Sequence, residues 1–178
     1  MELKPQDLYV VLKLVTRSAR PWTYSRLSAE LHMSASETNA AVKRSLRAGL
    51  LRVPVLQERN PQPVRKCIDE FLCHGLKYVF VPEQGGMVRG MPTAFAAPGL
   101  DLALSQDGQP PYVWPWEEGT VRGLALSPLH PNAPKAAHED IDFHRILALV
   151  DCLRTASPRG AGVATMMLEM TLFPDAGR

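Results

Sequence analysis

Leu27-Ser-Ala-Glu-Leu-His-Met-Ser-Ala-Ser-Glu-Thr-Asn-Ala-Ala-Val-Lys-Arg-Ser-Leu-Arg-Ala-Gly-Leu-Leu51 carries most of the structural information in this chain. It opens on the end of a short helix, and His32-Met33 is a tight connection. Ser34-Ala-Ser-Glu37 then forms a capping box, in which Ser34 satisfies the amide of Glu37 and Glu37 reaches back to Ser34. The helix that follows is expected to run to Arg47 or Ala48, with Gly49 placed to stop it. On a helical projection of about 100° per residue, Ala35, Thr38, Val42, Ser45, Leu46 and Gly49 gather on one side. Ser36, Ala40, Lys43 and Arg47 gather opposite, with Asn39 and Arg44 on the flanks. Small hydrogen-bonding residues therefore lie near the start of the outer stripe and cations towards its end. A helix that reads base edges with its first turns and meets phosphates with its later ones needs that layout.

Upstream, residues 5–18 read as a helix, with Pro5 in the first turn and Asp7 at the positive end of the dipole. Leu8, Val11, Leu12 and Val15 make one apolar stripe, while Val10 and Leu14 are apolar on the other side. A helix apolar nearly all round is buried on two sides, so the second half of the chain or a second subunit must cover it. Residues 23–31 form a shorter helix capped by Thr23.

The segment from Leu27 to Leu51 resembles bacterial winged helix-turn-helix regulators of the MarR and AsnC groups, over roughly residues 5–56. The telling pieces are Leu31-x-x-Ser34 and the closing Ala48-Gly49-Leu50-Leu51. Position 45 departs from the pattern, being Ser where a large apolar residue is common, and no clear wing hairpin follows. Leu51-Arg-Val-Pro-Val-Leu56 is the candidate wing strand, confined to an edge by Pro54, and Gln57 to Pro63 a reduced wing bearing Arg59. The resemblance implies duplex DNA as the partner, bound by a homodimer. Ser36, Asn39, Ala40 and Lys43 would enter the major groove, with Ser34 at the head of the same helix. Arg44, Arg47, Arg52 and Arg59 would meet phosphates.

Downstream, Pro63 to His74 reads as a helix with Pro63 in its first turn and Gly75 past its end, and Leu76 to Val81 as a short strand. The next sixty or so residues, rich in Pro and Gly, suggest brief strands at Thr93-Ala-Phe-Ala, Pro111-Tyr-Val-Trp and Val121 to Leu126. Gly86-Met-Val-Arg-Gly90 and Gly119-Thr-Val-Arg-Gly123 share four of five residues. The pair is read either as a convenient turn-and-strand string or as two arginines converging on an anion. A helix is expected from Asp140 or Asp142 to Arg154, with Phe143, Ile146, Leu147, Val150 and Leu153 buried. The Met-rich run from Val163 to Phe173 is expected to dock in the core.

The 178 residues, 46% apolar and 21% charged, suit a soluble globular chain. No apolar run approaches the ~20 residues of a membrane span. The start lacks the marks of a signal peptide, and three cysteines are no disulfide framework, so a cytoplasmic protein is expected. The net charge of +2 divides unevenly: residues 1–66 hold twelve Lys/Arg against five Asp/Glu, a net +7, and residues 67–178 hold eight against thirteen, a net −5. A basic first third fits a polyanion-binding module. No phosphate loop, dinucleotide fingerprint, zinc-protease helix or nucleophile elbow occurs, so no enzyme, cofactor or metal is expected. Cys67, Cys73 and Cys152 are expected to be buried and inert.

The fold class expected is α+β: a winged helix-turn-helix over residues 1–62 and a small mixed α/β region over 63–178 for dimerisation, effector or partner binding. Two functions from different classes follow. One is a dimeric, DNA-binding transcriptional repressor, including the antitoxin of a toxin–antitoxin pair, whose C-terminal part would hold the toxin. The other is a protein-interaction adaptor whose winged helix does not bind DNA, with Tyr112, Trp114 and Trp116 as interface anchors.

Overall fold

The computed structural model describes residues 2–17, 21–54, 60–100, 110–155 and 158–174. The chain is mixed α+β. Its first part holds α1 (Pro5–Thr16), α2 (Tyr24–Leu31), α3 (Ala35–Arg47) and a short antiparallel ribbon of β1 (Leu51–Arg52) and β2 (Gln62–Pro63). Then come α4 (Arg65–Glu70), a π-helical turn at Phe71–Gly75, α5 (Leu76–Val79) and β3 (Gln84–Pro92). A 3₁₀ turn at Ala94–Ala96, β4 (Tyr112–Pro115), β5 (Val121–Leu126), α6 (Ala133–Glu139), α7 (Ile141–Thr155) and α8 (Pro158–Leu172) complete it. Strand β3 pairs antiparallel with both β4 and β5, and β4 with β5 in parallel, closing a three-stranded barrel.

The helix signals at the N-terminus act as read. Thr23 Oγ1 accepts from Arg26 N at 3.2 Å, opening α2. The capping box opens α3: Ser34 Oγ accepts from Glu37 N at 3.1 Å, and Ser34 N donates to Glu37 Oε2 at 3.1 Å. Gly49 ends that helix at φ +75°, where a side chain is strained. Every residue of α1 from Asp7 to Val15 is buried. The cover is intramolecular, α3 on one flank and α7 on another. One hydrophobic cluster runs from Leu8 through Leu27, Ile68, Trp114 and Phe143 to Leu172, so it crosses position 62 without a break.

Five expectations need correction. Gly75 does not end a helix: its φ of −106° and ψ of −39° stay helical, and a Cβ there would stand 3.0 Å from the Phe71 ring. The glycine makes room for that ring within a π turn, and the helix continues to Val79 where a strand was expected. Leu76 and Phe80 are buried while Lys77, Tyr78 and Val79 are exposed, a four-residue spacing that suits a helix rather than a strand. Pro63 sits in β2 opposite Leu51 rather than in the following helix, which supplies the return strand that the sequence did not make clear. Thr93-Ala-Phe-Ala is a 3₁₀ turn, drawn inward because Thr93 Oγ1 donates to the buried Asp151 at 2.7 Å. Of the cysteines only Cys152 is buried; Cys73 is half-buried and Cys67 exposed.

Asp151 is the chief polar anchor of the second part. Its Oδ2 accepts from Thr93 Oγ1 and from Trp114 Nε1, both at 2.7 Å, and Oδ1 accepts from Arg154 Nη1 at 2.7 Å. Arg154 in turn donates to the carbonyls of Phe80 and Ser127 at 2.8 and 3.1 Å. A carboxylate so enclosed is tolerable only because each oxygen has donors. It fastens the barrel and the end of α5 to α7.

Candidate nucleic-acid interface

Helix α3 turns Thr38, Ala41, Val42 and Ser45 into the core. Ser34, Ser36, Lys43 and Arg47 are exposed, and Asn39, Ala40 and Arg44 are half-buried. The outer stripe therefore carries a hydroxyl, an amide and a methyl in its first half and two cations in its second. Short polar side chains can meet donors and acceptors of base edges, and long cations at the rim can meet phosphate oxygens. Ser34 is committed in part to its own helix, since its hydroxyl donates to Glu37 Oε2 at 2.7 Å. These hydrogen bonds from Ser34 hold the Glu37 carboxyl below its usual range, so an anion stands at the head of the helix.

Arg44 is placed differently from the other cations. Its Nε donates to Asp7 Oδ2 at 2.7 Å and its Nη2 to Asp7 Oδ1 at 2.6 Å, a two-pronged pair. Asp7 is fully buried, and only 13% of the Arg44 side chain is exposed. Asp7 Oδ2 also accepts from Lys4 N at 2.9 Å. Arg44 thus braces α3 against the start of α1, and its guanidinium is engaged inward rather than offered to a phosphate. Arg52 is exposed on β1, opposite Gln62. Arg59 lies outside the described residues.

The turn between α2 and α3 is held from the far end of the chain. His32 adopts a left-handed conformation, φ 52° and ψ 38°, which reverses the backbone between the two helices. Its Nε2 lies 3.1 Å from Glu139 Oε1 at the end of α6. Asn132 Nδ2 donates to the His32 carbonyl. His130 stacks on the Tyr9 ring, centroids 5.1 Å apart at 15°, and burial lowers its pKa. Beside it, Lys13 Nζ on α1 donates to Asp140 Oδ2 at 2.7 Å, while Asp140 Oδ1 accepts from Phe143 N at 3.0 Å and caps α7. Residues 130–140 thereby clasp α1 and the turn between α2 and α3. The partners stand about a hundred positions apart, and no local pattern could have announced Asn132, Glu139 or the Asp7–Arg44 brace.

Among the described residues no group of three or more His, Cys, Asp or Glu is placed to hold a metal ion, and no helix is long and apolar enough to cross a membrane. No family model, no curated protein and no solved structure matches the chain.

Proposed function

We propose that the chain is a sequence-specific duplex-DNA-binding transcription regulator, with α3 as its recognition helix and the β1–β2 ribbon as a small wing. The observation that carries this reading is the outer face of α3. Ser36, Asn39, Ala40 and Lys43 share it, the helix is rigidly capped and braced, and a strand bearing Arg52 follows at once. The net +7 of residues 1–66 supplies the field that draws a polyanion. Ser36 and Asn39 read base edges; Lys43, Arg47 and Arg52 position the backbone. Two copies bound to one operator would set their recognition helices about 34–36 Å apart, one turn of the duplex. That repressor-type dimer is carried over from the resemblance to MarR and AsnC regulators.

A mobility-shift titration on the duplex upstream of the chain's own coding sequence tests the reading, with unrelated duplex as competitor. A complex that survives competitor at physiological salt supports it. A protein making six to eight phosphate contacts loses roughly a thousandfold in affinity between about 50 and 200 mM salt. Absence of a complex, or one that unrelated duplex removes completely, refutes it and leaves the adaptor reading.

A further inference from the structure

The two like segments, Gly86-Met-Val-Arg-Gly90 and Gly119-Thr-Val-Arg-Gly123, are paired with each other. In the β3–β5 ladder Val88 lies opposite Gly123, Arg89 opposite Arg122 and Gly90 opposite Val121, so the repeat runs antiparallel about the two arginines. Packing explains three of the four glycines, Gly90, Gly119 and Gly123; a Cβ on Gly86 would meet nothing within 4 Å. A Cβ on Gly90 would stand 2.0 Å from the Trp114 carbonyl oxygen, one on Gly123 2.1 Å from that of Pro111, and one on Gly119 2.2 Å from the Gly90 carbonyl carbon. Only glycine allows three strands to close so tightly. Packing does not explain the arginines.

Residues opposed in a ladder share one face with Cβ atoms about 4.5–5.5 Å apart, and like charges there work against the pairing. Arg89 and Arg122 are exposed and are the only charged residues in either strand. Among the described residues neither takes part in a salt bridge, although ten carboxylates of residues 67–178 are described. Next along the same face, Met87 opposes Leu124 and adds apolar surface beside the cations. Trp116 N donates to the Arg89 carbonyl at 3.3 Å, which fixes the backbone beneath the pair.

We infer that Arg89 and Arg122 form a binding site for a phosphate dianion, either free phosphate or the head of a phosphomonoester. Two guanidinium groups carry two positive charges, and a phosphomonoester carries about −1.5 to −2 at pH 7, so the charges match. A carboxylate would leave one cation over. Each guanidinium fork can donate two N–H groups to phosphate oxygens. Met87 and Leu124 give the carbon body of a phosphomonoester somewhere to lie. This site is separate from α3 and stands whether or not the chain binds DNA.

The test is calorimetric titration of the full chain with inorganic phosphate and with phenyl phosphate at constant ionic strength. Saturable binding of one anion per chain is expected, strengthening from pH 5.5 to 7.5 as the second proton leaves, near pH 6 for the phosphomonoester and at a higher pH for inorganic phosphate. Arg89→Gln and Arg122→Gln should each weaken binding about tenfold or more, whereas Lys43→Ala leaves it unchanged. Without anion, each Gln variant should unfold at or above the wild-type midpoint, since a like-charge contact has been removed. Phenyl phosphate binding more tightly than phosphate assigns a phosphomonoester; equal binding assigns the free anion. No saturable binding, or binding that both Gln variants keep within about twofold, overturns the inference. So does displacement of phenyl phosphate by an oligonucleotide lacking terminal phosphates, because the arginines would then serve a phosphodiester backbone.

Discussion

Replacing Arg44 separates a phosphate contact from a structural brace. The arginine makes two charged hydrogen bonds of 2.7 and 2.6 Å to a fully buried carboxylate. Arg44→Met keeps the length of the stem but leaves Asp7 with only the Lys4 amide among the donors described. Breaking a buried pair by removing one partner costs about 3–5 kcal/mol. The 13% exposure of Arg44 admits some water, so the lower end, about 3 kcal/mol, is expected here. For a chain of this size that corresponds to a fall of roughly 6–12 °C in the unfolding midpoint. Asp7→Leu should be comparably harmful, because it strands the guanidinium. The double variant should recover much of the loss, with a coupling of about 2–3 kcal/mol. Urea unfolding of the four proteins measures this directly. DNA affinity, compared below the melting range, should change little in Arg44→Met. If Arg44→Met instead keeps its midpoint within about a degree while DNA affinity and its salt slope both fall, the arginine faces the phosphates and the brace is misread.

Three further outcomes follow from the same geometry. Lys43→Ala should leave stability within about 0.5 kcal/mol, since the side chain is exposed, yet reduce the salt slope of DNA binding by about 0.9; unchanged binding would move the recognition face elsewhere. Ser45 is fully buried and its hydroxyl has no partner among the described residues, so Ser45→Ala should stabilise the chain by about 1 kcal/mol, and a lower midpoint would show that the hydroxyl is satisfied. Burial lowers the pKa of His144, so the folded state favours its neutral ring. The stability it contributes is present above its unfolded pKa of about 6.5 and is lost as pH falls through the lower folded value. Denaturation midpoints should therefore decline from pH 7 to 5, less steeply in His144→Phe; an equal slope in both proteins would place the linkage elsewhere. His130, whose pKa is also lowered by burial, supplies a remaining part with the same sign.

The sequence alone determined the N-terminal helices and their ends, because the signals there are local. A capping hydroxyl and the amide it serves are three residues apart, and a terminating glycine acts on its own φ. The two apolar sides of α1 also announced that something must cover it. What covers it was not local: α7 packs there through residues more than a hundred positions away. Sequence separation likewise hid the Asp7–Arg44 brace, 37 positions apart, and the clasp of His32 by Asn132 and Glu139, 100 and 107 positions away. In a string of letters Arg44 and Lys43 are neighbouring cations on one helix, yet only the tertiary structure gives one a buried carboxylate and leaves the other in solvent. Likewise the repeated Gly-x-Val-Arg-Gly was visible from the start, but strand register decided that its arginines oppose each other. Helix caps and turns are fixed by bonds across a few residues, whereas charge pairing and strand register are settled only when distant segments compete for the same buried space.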